Sequence, residues 1–268
     1  MLFSARMKAQ RLLAFPLVLV SLSISAQPAA VPKAAGPLDP KLQAGQAVYE
    51  QHCAACHGVK GDGSGAAAVW LFPRPRDFSA GLFKLKSTPG TALPTDEDLL
   101  GTVTRGMPGS SMPSFTYLTE GERRSAVEYV KYLTAYTDAS GKRINRFEEG
   151  RRSNELAAPI SVPPEPAVTV QSLADGARLF SKLNCVMCHG ETGAGDGPNA
   201  SSLKDTKGLY LPPRDFNTGA FRGGPTGRDL FTRIAIGLAG TPMVAFDNKV
   251  MTDRERWSLV QFIQSLRR

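Results

Sequence analysis

The chain has 268 residues, 42% of them hydrophobic, and a formal net charge of +8. That length suits two domains of ordinary size. The positive charge is not gathered into a basic run interleaved with aromatics, so no nucleic-acid partner is expected.

The first 26 residues read as a signal peptide. Arg6, Lys8 and Arg11 come without an acid, an apolar run from Leu12 to Ile24 follows, and Ser25-Ala26 offers a cleavage site. The run is too short to span a bilayer comfortably. An uncleaved anchor is the alternative, because Ile24 is bulky for a cleavage site. No later stretch approaches a membrane span, so no stable span is expected after cleavage. The expected location is periplasmic. Losing the leader removes three positive charges, which leaves a mildly basic chain.

A short helix is expected next, with Asp39 as cap and Pro40 at the first helical position. Gly45 and Tyr49 lie four apart and share one face. The helix leads into Cys53-Ala54-Ala55-Cys56-His57, which has the form of a c-type haem attachment site. Two thiols at this spacing can add to the two vinyl groups of one haem. The histidine that follows can place a ring nitrogen on the iron. A zinc ribbon would need its second CxxC about 15–20 residues on, whereas the next pair is Cys185 and Cys188. A thioredoxin-like site would need a βαβ pattern, and none is evident.

Beyond the cysteines come a glycine-rich loop, Gly61 to Gly65, and then Pro75-Arg76-Asp77-Phe78. The loop lacks the Lys-Ser/Thr of a phosphate-binding loop. Thr95 and Asp98 open a short helix that ends at Gly106. A methionine loop runs from Gly106 to Phe115, and Thr119 with Glu122 caps a final helix. Its stripe Val127, Val130 and Leu133 is expected to be core, not cofactor contact.

The segment 138–170 holds Pro159, Pro163, Pro164 and Pro166 and reads as a linker. Its charged start, Lys142 to Arg152, is open to a helical turn or to packing on a domain. From 171 to 268 the plan of 39–137 repeats. Gly176/Phe180 stand for Gly45/Tyr49, and Cys185-Val186-Met187-Cys188-His189 is the second attachment site. Pro213-Arg214-Asp215-Phe216, Thr226/Asp229, the loop Gly237–Phe246, Thr252/Glu255 and the stripe Val260, Ile263 and Leu266 follow in order. The two sites use all four cysteines, so two covalently attached c-type haems are expected, on Cys53/Cys56 and Cys185/Cys188. No convincing strand alternation occurs, and the fold class is all-α with long loops.

His57 and His189 are expected as one axial ligand of each iron. The third histidine, His52, is badly placed beside Cys53. Methionine is the natural second ligand, since a neutral thioether favours ferrous iron. Met112 and Met243 hold the same slot in the two copies. Met107 aligns with Leu238, Met251 with Glu120, and Met187 lies inside an attachment loop, so none of these is preferred. Pro113 and Pro242 would stiffen the ligand loops. Arg76 and Arg214 are candidates to pair with haem propionates; a local contact with Asp77 or Asp215 is the competing reading. The carbonyls of Pro75 and Pro213 are expected to accept the free N–H of the axial histidines.

The order of CxxCH, Pro-Arg-Asp-Phe, methionine loop and final helix resembles class I cytochrome c, in tandem, over roughly 39–137 and 171–268. The resemblance implies compact helical domains whose first and last helices cross at Gly45/Tyr49 and at Gly176/Phe180. It also implies transfer of single electrons through an exposed haem edge. One departure is Arg124 where the second copy has Trp257, so the final helices should pack differently. The leading expectation is a soluble dihaem carrier between a donor dehydrogenase or membrane complex and a terminal oxidase or reductase, with no catalytic residues. A cytochrome subunit of a larger oxidoreductase complex is one alternative. A dihaem peroxidase or thiosulfate-oxidising enzyme is another; it would need an open or unusual sixth position, which a methionine for each iron argues against.

Overall fold

The computed structural model describes residues 38–153 and 156–268; the expected signal peptide lies outside them. Helix α1 spans Pro40–His52, and Asp39 accepts the N–H groups of Lys41 and Leu42 at its start. A one-turn helix α2, Ala54–His57, carries the second cysteine and the histidine. Helix α3 (Asp96–Arg105) and helix α4 (Glu120–Leu133) both open with reciprocal capping boxes, Thr95/Asp98 and Thr119/Glu122. After a connecting segment the plan recurs as α6 (Val170–Lys182), α7 (Val186–His189), α8 (Gly227–Ile236) and α9 (Asp253–Ser265). Capping boxes again start α8 and α9, so the starts of α3, α4, α8 and α9 follow from a hydroxyl and an acid three residues apart.

The first and last helices of each copy cross, α1 on α4 and α6 on α9. Glycine makes the crossing possible. A Cβ at Gly45 would run into the carbonyl oxygen of Ser125, and one at Gly176 into that of Ser258. Tyr49 and Phe180 fill the space beside these contacts and are buried. The Tyr49 hydroxyl donates to the Gly58 carbonyl at 2.7 Å, tying α1 to the end of α2. Each copy has its own apolar core, one around Tyr49, Phe78, Val127 and Val130, the other around Phe180, Phe216, Phe231 and Val260.

The fold is all-α with long loops, except for a small hairpin of β1 (Ala135–Thr137) and β2 (Arg143–Asn145) in antiparallel register, Tyr136 opposite Ile144. Strands of three residues are too short to show alternation in sequence. Helix α5, Arg146–Arg152, follows and buries Phe147 in the first core. The charged start of 138–170 therefore both turns helical and packs. Residues 156–169 run without helix or strand. Ile160 donates its N–H to the Ser87 carbonyl at 2.9 Å, and Ile160 and Val162 lie against the second core. Among the described residues no helix is long and apolar enough to cross a membrane.

The two copies meet directly. Lys207 pairs with Asp77 at 2.9 Å. Arg233 donates to the Lys84 carbonyl at 3.0 Å and also to that of Lys86. Phe72 stacks on Tyr210.

Candidate haem sites

A cavity of about 290 Å³ lies in the first copy and one of about 310 Å³ in the second. Cys53, Cys56, His57 and Met112 line the first; Cys185, Cys188, His189 and Met243 line the second. The structure thus gathers both expected sets. Arg76 and Arg214 reach their respective cavities as well. Among the described residues no three His, Cys, Asp or Glu side chains gather as a metal cluster.

The two imidazoles are held alike. His57 Nδ1 lies 3.1 Å from the Arg76 carbonyl, and His189 Nδ1 lies 3.1 Å from that of Arg214. A carbonyl can only accept, so Nδ1 carries the proton and Nε2 keeps its lone pair. Phe78 stacks on His57 with ring centres 4.7 Å apart, and Phe216 on His189 at 4.3 Å. Burial lowers the pKa of both histidines, which favours the neutral imidazole that a metal requires. Burial also pushes the Cys53 and Cys185 thiols up to about 11.

The acceptor of this bond corrects the sequence expectation, which placed it on Pro75 and Pro213. Those carbonyls face the glycine loops instead: a Cβ at Gly63 would lie 2.8 Å from Pro75 O, and one at Gly195 would lie 3.0 Å from Pro213 O. The next carbonyl, that of the arginine, meets the imidazole.

The helical stripes need a second correction. Val127 and Val130 are buried, yet they also line the first cavity, and Ile263 lines the second. In a domain this small the cavity is the centre of the core, so one inward face serves both.

The methionine loops share a brace that the sequence reading missed. Ser110 Oγ donates to the Met107 carbonyl and Thr241 Oγ1 to the Leu238 carbonyl, each at 2.8 Å. The N–H groups of Met112 and Met243 donate back to those hydroxyls at 3.3 and 3.2 Å. The signal was a hydroxyl two residues before each methionine. A second brace comes from the final helices. Arg123 donates to the carbonyls of Phe115 and Leu118, and Arg256 to those of Phe246 and Met251. These bonds put Met251 in register with Leu118, not with Glu120. The second copy has two more residues between the loop phenylalanine and the helix cap, which shifts the gapless alignment. His52 lines the first cavity and shares a 3.3 Å hydrogen bond with the Tyr117 hydroxyl.

A c-type haem is a flat apolar disc with two carboxylates on one edge. It needs apolar walls, a neutral imidazole and cations for that edge. Asp77 pairs with Lys207, Asp215 accepts from the Asn217 N–H, and among the described residues neither aspartate forms an ion pair with its neighbouring arginine. The Nε atoms of Arg214, Arg222 and Arg233, all on the second cavity wall, are buried with no hydrogen-bond partner among the described residues. Burial alone would penalise such donors; carboxylates would satisfy them. The residues present fit the group.

Walls of this kind define a haem-binding helical protein built twice. Residues 40–130 match the family model for cytochrome c oxidase, cbb3-type, subunit III, and residues 173–267 match that for cytochrome c. A chain of the reducing HAO-like protein complex from Kuenenia stuttgartiensis is 36% identical, with a TM-score of 0.76 over 84% of this chain and 96% of that one. The cbb3-type cytochrome c oxidase subunit CcoP of Azospirillum sp. (strain B510) is 26% identical over 183 residues, 63% of this chain. The chain spans 48% of that relative's length. The protein belongs to the c-type cytochromes, with two cytochrome c domains in tandem, and works in haem-based electron transfer.

Proposed function

We propose that the protein is an exported dihaem electron carrier of the periplasm. Its domains are 39–137 and 171–268, joined by 138–170, after a signal peptide over 1–26. One haem is attached through Cys53 and Cys56 with His57 and Met112 as axial ligands. The other is attached through Cys185 and Cys188 with His189 and Met243. The observation that carries this reading is that each cavity wall unites a cysteine pair, a carbonyl-bound imidazole and a braced methionine. When bound, each haem supplies a one-electron ferric/ferrous couple. The chain orients the imidazole through Arg76 O or Arg214 O, holds the thioether loop with Ser110 or Thr241, and keeps water from the ring with its apolar stripe. The carrier accepts single electrons from a donor dehydrogenase or membrane complex and passes them to a terminal oxidase or reductase.

The two proteins named above carry names that place them in multi-subunit assemblies. This favours, as a second reading, a cytochrome subunit docked stably in a larger oxidoreductase. Co-purification from the native host separates the two.

Mass spectrometry of the mature protein should show two covalent haem additions. Met112→Ala should remove the first haem's share of the near-infrared sulfur-to-iron band, and Met107→Ala should leave the band intact. A single haem, or a band insensitive to Met112→Ala, would refute the proposed ligation.

A further inference from the structure

Lys84 and Arg222 hold equivalent places in the repeat, six residues after Phe78 and Phe216. Each lines both cavities: Lys84 of the first copy reaches the second cavity, and Arg222 of the second copy reaches the first. Leu85 and Met107 also line both, so the cavities share one wall across the junction of the copies. The other two arginines cross the same junction. A side chain at Gly109, in the first methionine loop, would collide with the Arg214 guanidinium. One at Gly240, in the second, would come within 3.4 Å of Arg76 Nη1. Both glycines have positive φ, 70° and 73°, which keeps these positions free of a Cβ.

None of Arg76, Lys84, Arg214 and Arg222 makes an ion pair among the described residues. Asp77 is engaged by Lys207. The backbone of Lys84 is pinned from the opposite copy by Arg233, and Arg222 Nη2 reaches the Gly109 carbonyl at 3.5 Å. Four half-buried cations therefore converge where two haems would bring four carboxylates.

We propose that Lys84 and Arg222 form one cationic wall shared by both haems, each side chain offsetting carboxylate charge on both, so that changing either residue shifts both haem potentials. The proposal rests on the dihaem reading above. A cation beside the carboxylates offsets their negative charge. Without it, that charge favours the ferric state and the midpoint falls. The sharing adds a prediction that independent domains would not make: a substitution in one copy is read out in the other.

The test is redox titration of the full-length holoprotein, with haem content of every sample counted by mass spectrometry. Lys84→Gln and Arg222→Gln should each lower both midpoints, by about a tenfold change in the ferric-to-ferrous ratio, or ~59 mV for a one-electron couple. Lys84→Arg should leave both in place, which separates charge from packing. Arg74→Gln, at a cation lining only the first cavity, should move at most one. If each Gln variant moves a single midpoint, or none, the shared wall is wrong while the dihaem reading stands. If Arg74→Gln moves both midpoints equally, the effect is unspecific and the wall is again wrong. A wild-type protein with fewer than two haems would overturn both readings. Should Arg222→Gln not fold, Lys84→Gln decides alone.

Discussion

The two copies brace the same pair of helices with opposite chemistry. In the second, Trp257 of α9 is buried against Phe231 of α8, with ring centres 4.9 Å apart. It fits because Gly227 leaves room: a Cβ there would lie 3.0 Å from the indole. In the first, Asp96 stands in place of Gly227 and Arg124 in place of Trp257. Lys131 of α4 instead reaches Asp96 of α3 at 2.8 Å and Glu128 at 2.8 Å. Arg124 turns outward to pair with Glu120. Phe147, delivered by α5 from beyond the domain repeat, closes the first core. One backbone plan thus tolerates an apolar or an ionic brace, provided the helix crossing at glycine is kept.

Breaking the apolar brace should have the largest effect. Trp257→Ala should destabilise the second copy by about 3–5 kcal/mol, the range for deleting a buried aromatic. Arg124→Ala, at the matching exposed site, should change stability by under about 0.5 kcal/mol. Hydrogen exchange of α9 and α4 amides reads the two copies separately. Equal losses in both would contradict the asymmetry.

A smaller effect should follow in the ionic brace. The Asp96 side chain is 50% exposed, so solvent screens the pair, and Lys131 retains Glu128. Asp96→Asn should cost about 1 kcal/mol, confined to the first copy. The difference from wild type should shrink in 1 M salt, where screening reaches about 3 Å. Thermal melts at low and high salt would show this; a salt-independent difference would mean that packing, not charge, is at work.

The chain's organisation was legible where single residues carry a local rule. Asp39, Thr95, Thr119, Thr226 and Thr252 mark the helix starts because capping depends on neighbours three residues away. Gly45 and Gly176 announced the crossings because a missing Cβ has few other uses inside a helix. What depends on chain direction or on tertiary meeting was not legible. The Arg76 and Arg214 carbonyls, not those of the prolines before them, accept from the histidines, a choice of backbone group that a residue name does not encode. Lys84 and Arg222 matched in the repeat, but nothing local says that they face each other's cavities. The hairpin at 135–145 is too short to carry a period.

The smallest difference should lie in the potentials. Of the three serines in the first methionine loop, Ser110 and Ser114 spend their hydroxyls on backbone carbonyls, and Ser111 lines the cavity. The second loop places Val244 on its wall. Apolar surroundings disfavour the extra ferric charge. The second haem should therefore have the higher midpoint, by a modest margin. Redox titration beside Met112→His assigns the steps, since histidine should lower the first. If the unmoved step is the lower one in wild type, the polarity difference does not set the order.

The clamp on each imidazole has a kinetic consequence. The ring is stacked on Phe78 or Phe216 along its face and anchored at Nδ1 by a main-chain carbonyl. With Nε2 on the metal, as proposed, little freedom remains for tilt or rotation. A ligand that cannot move when the metal changes charge adds little reorganisation energy to the electron-transfer barrier. The surrounding dipoles are set before the electron arrives, so exchange speed would be governed by distance and driving force rather than by rearrangement of the ligand.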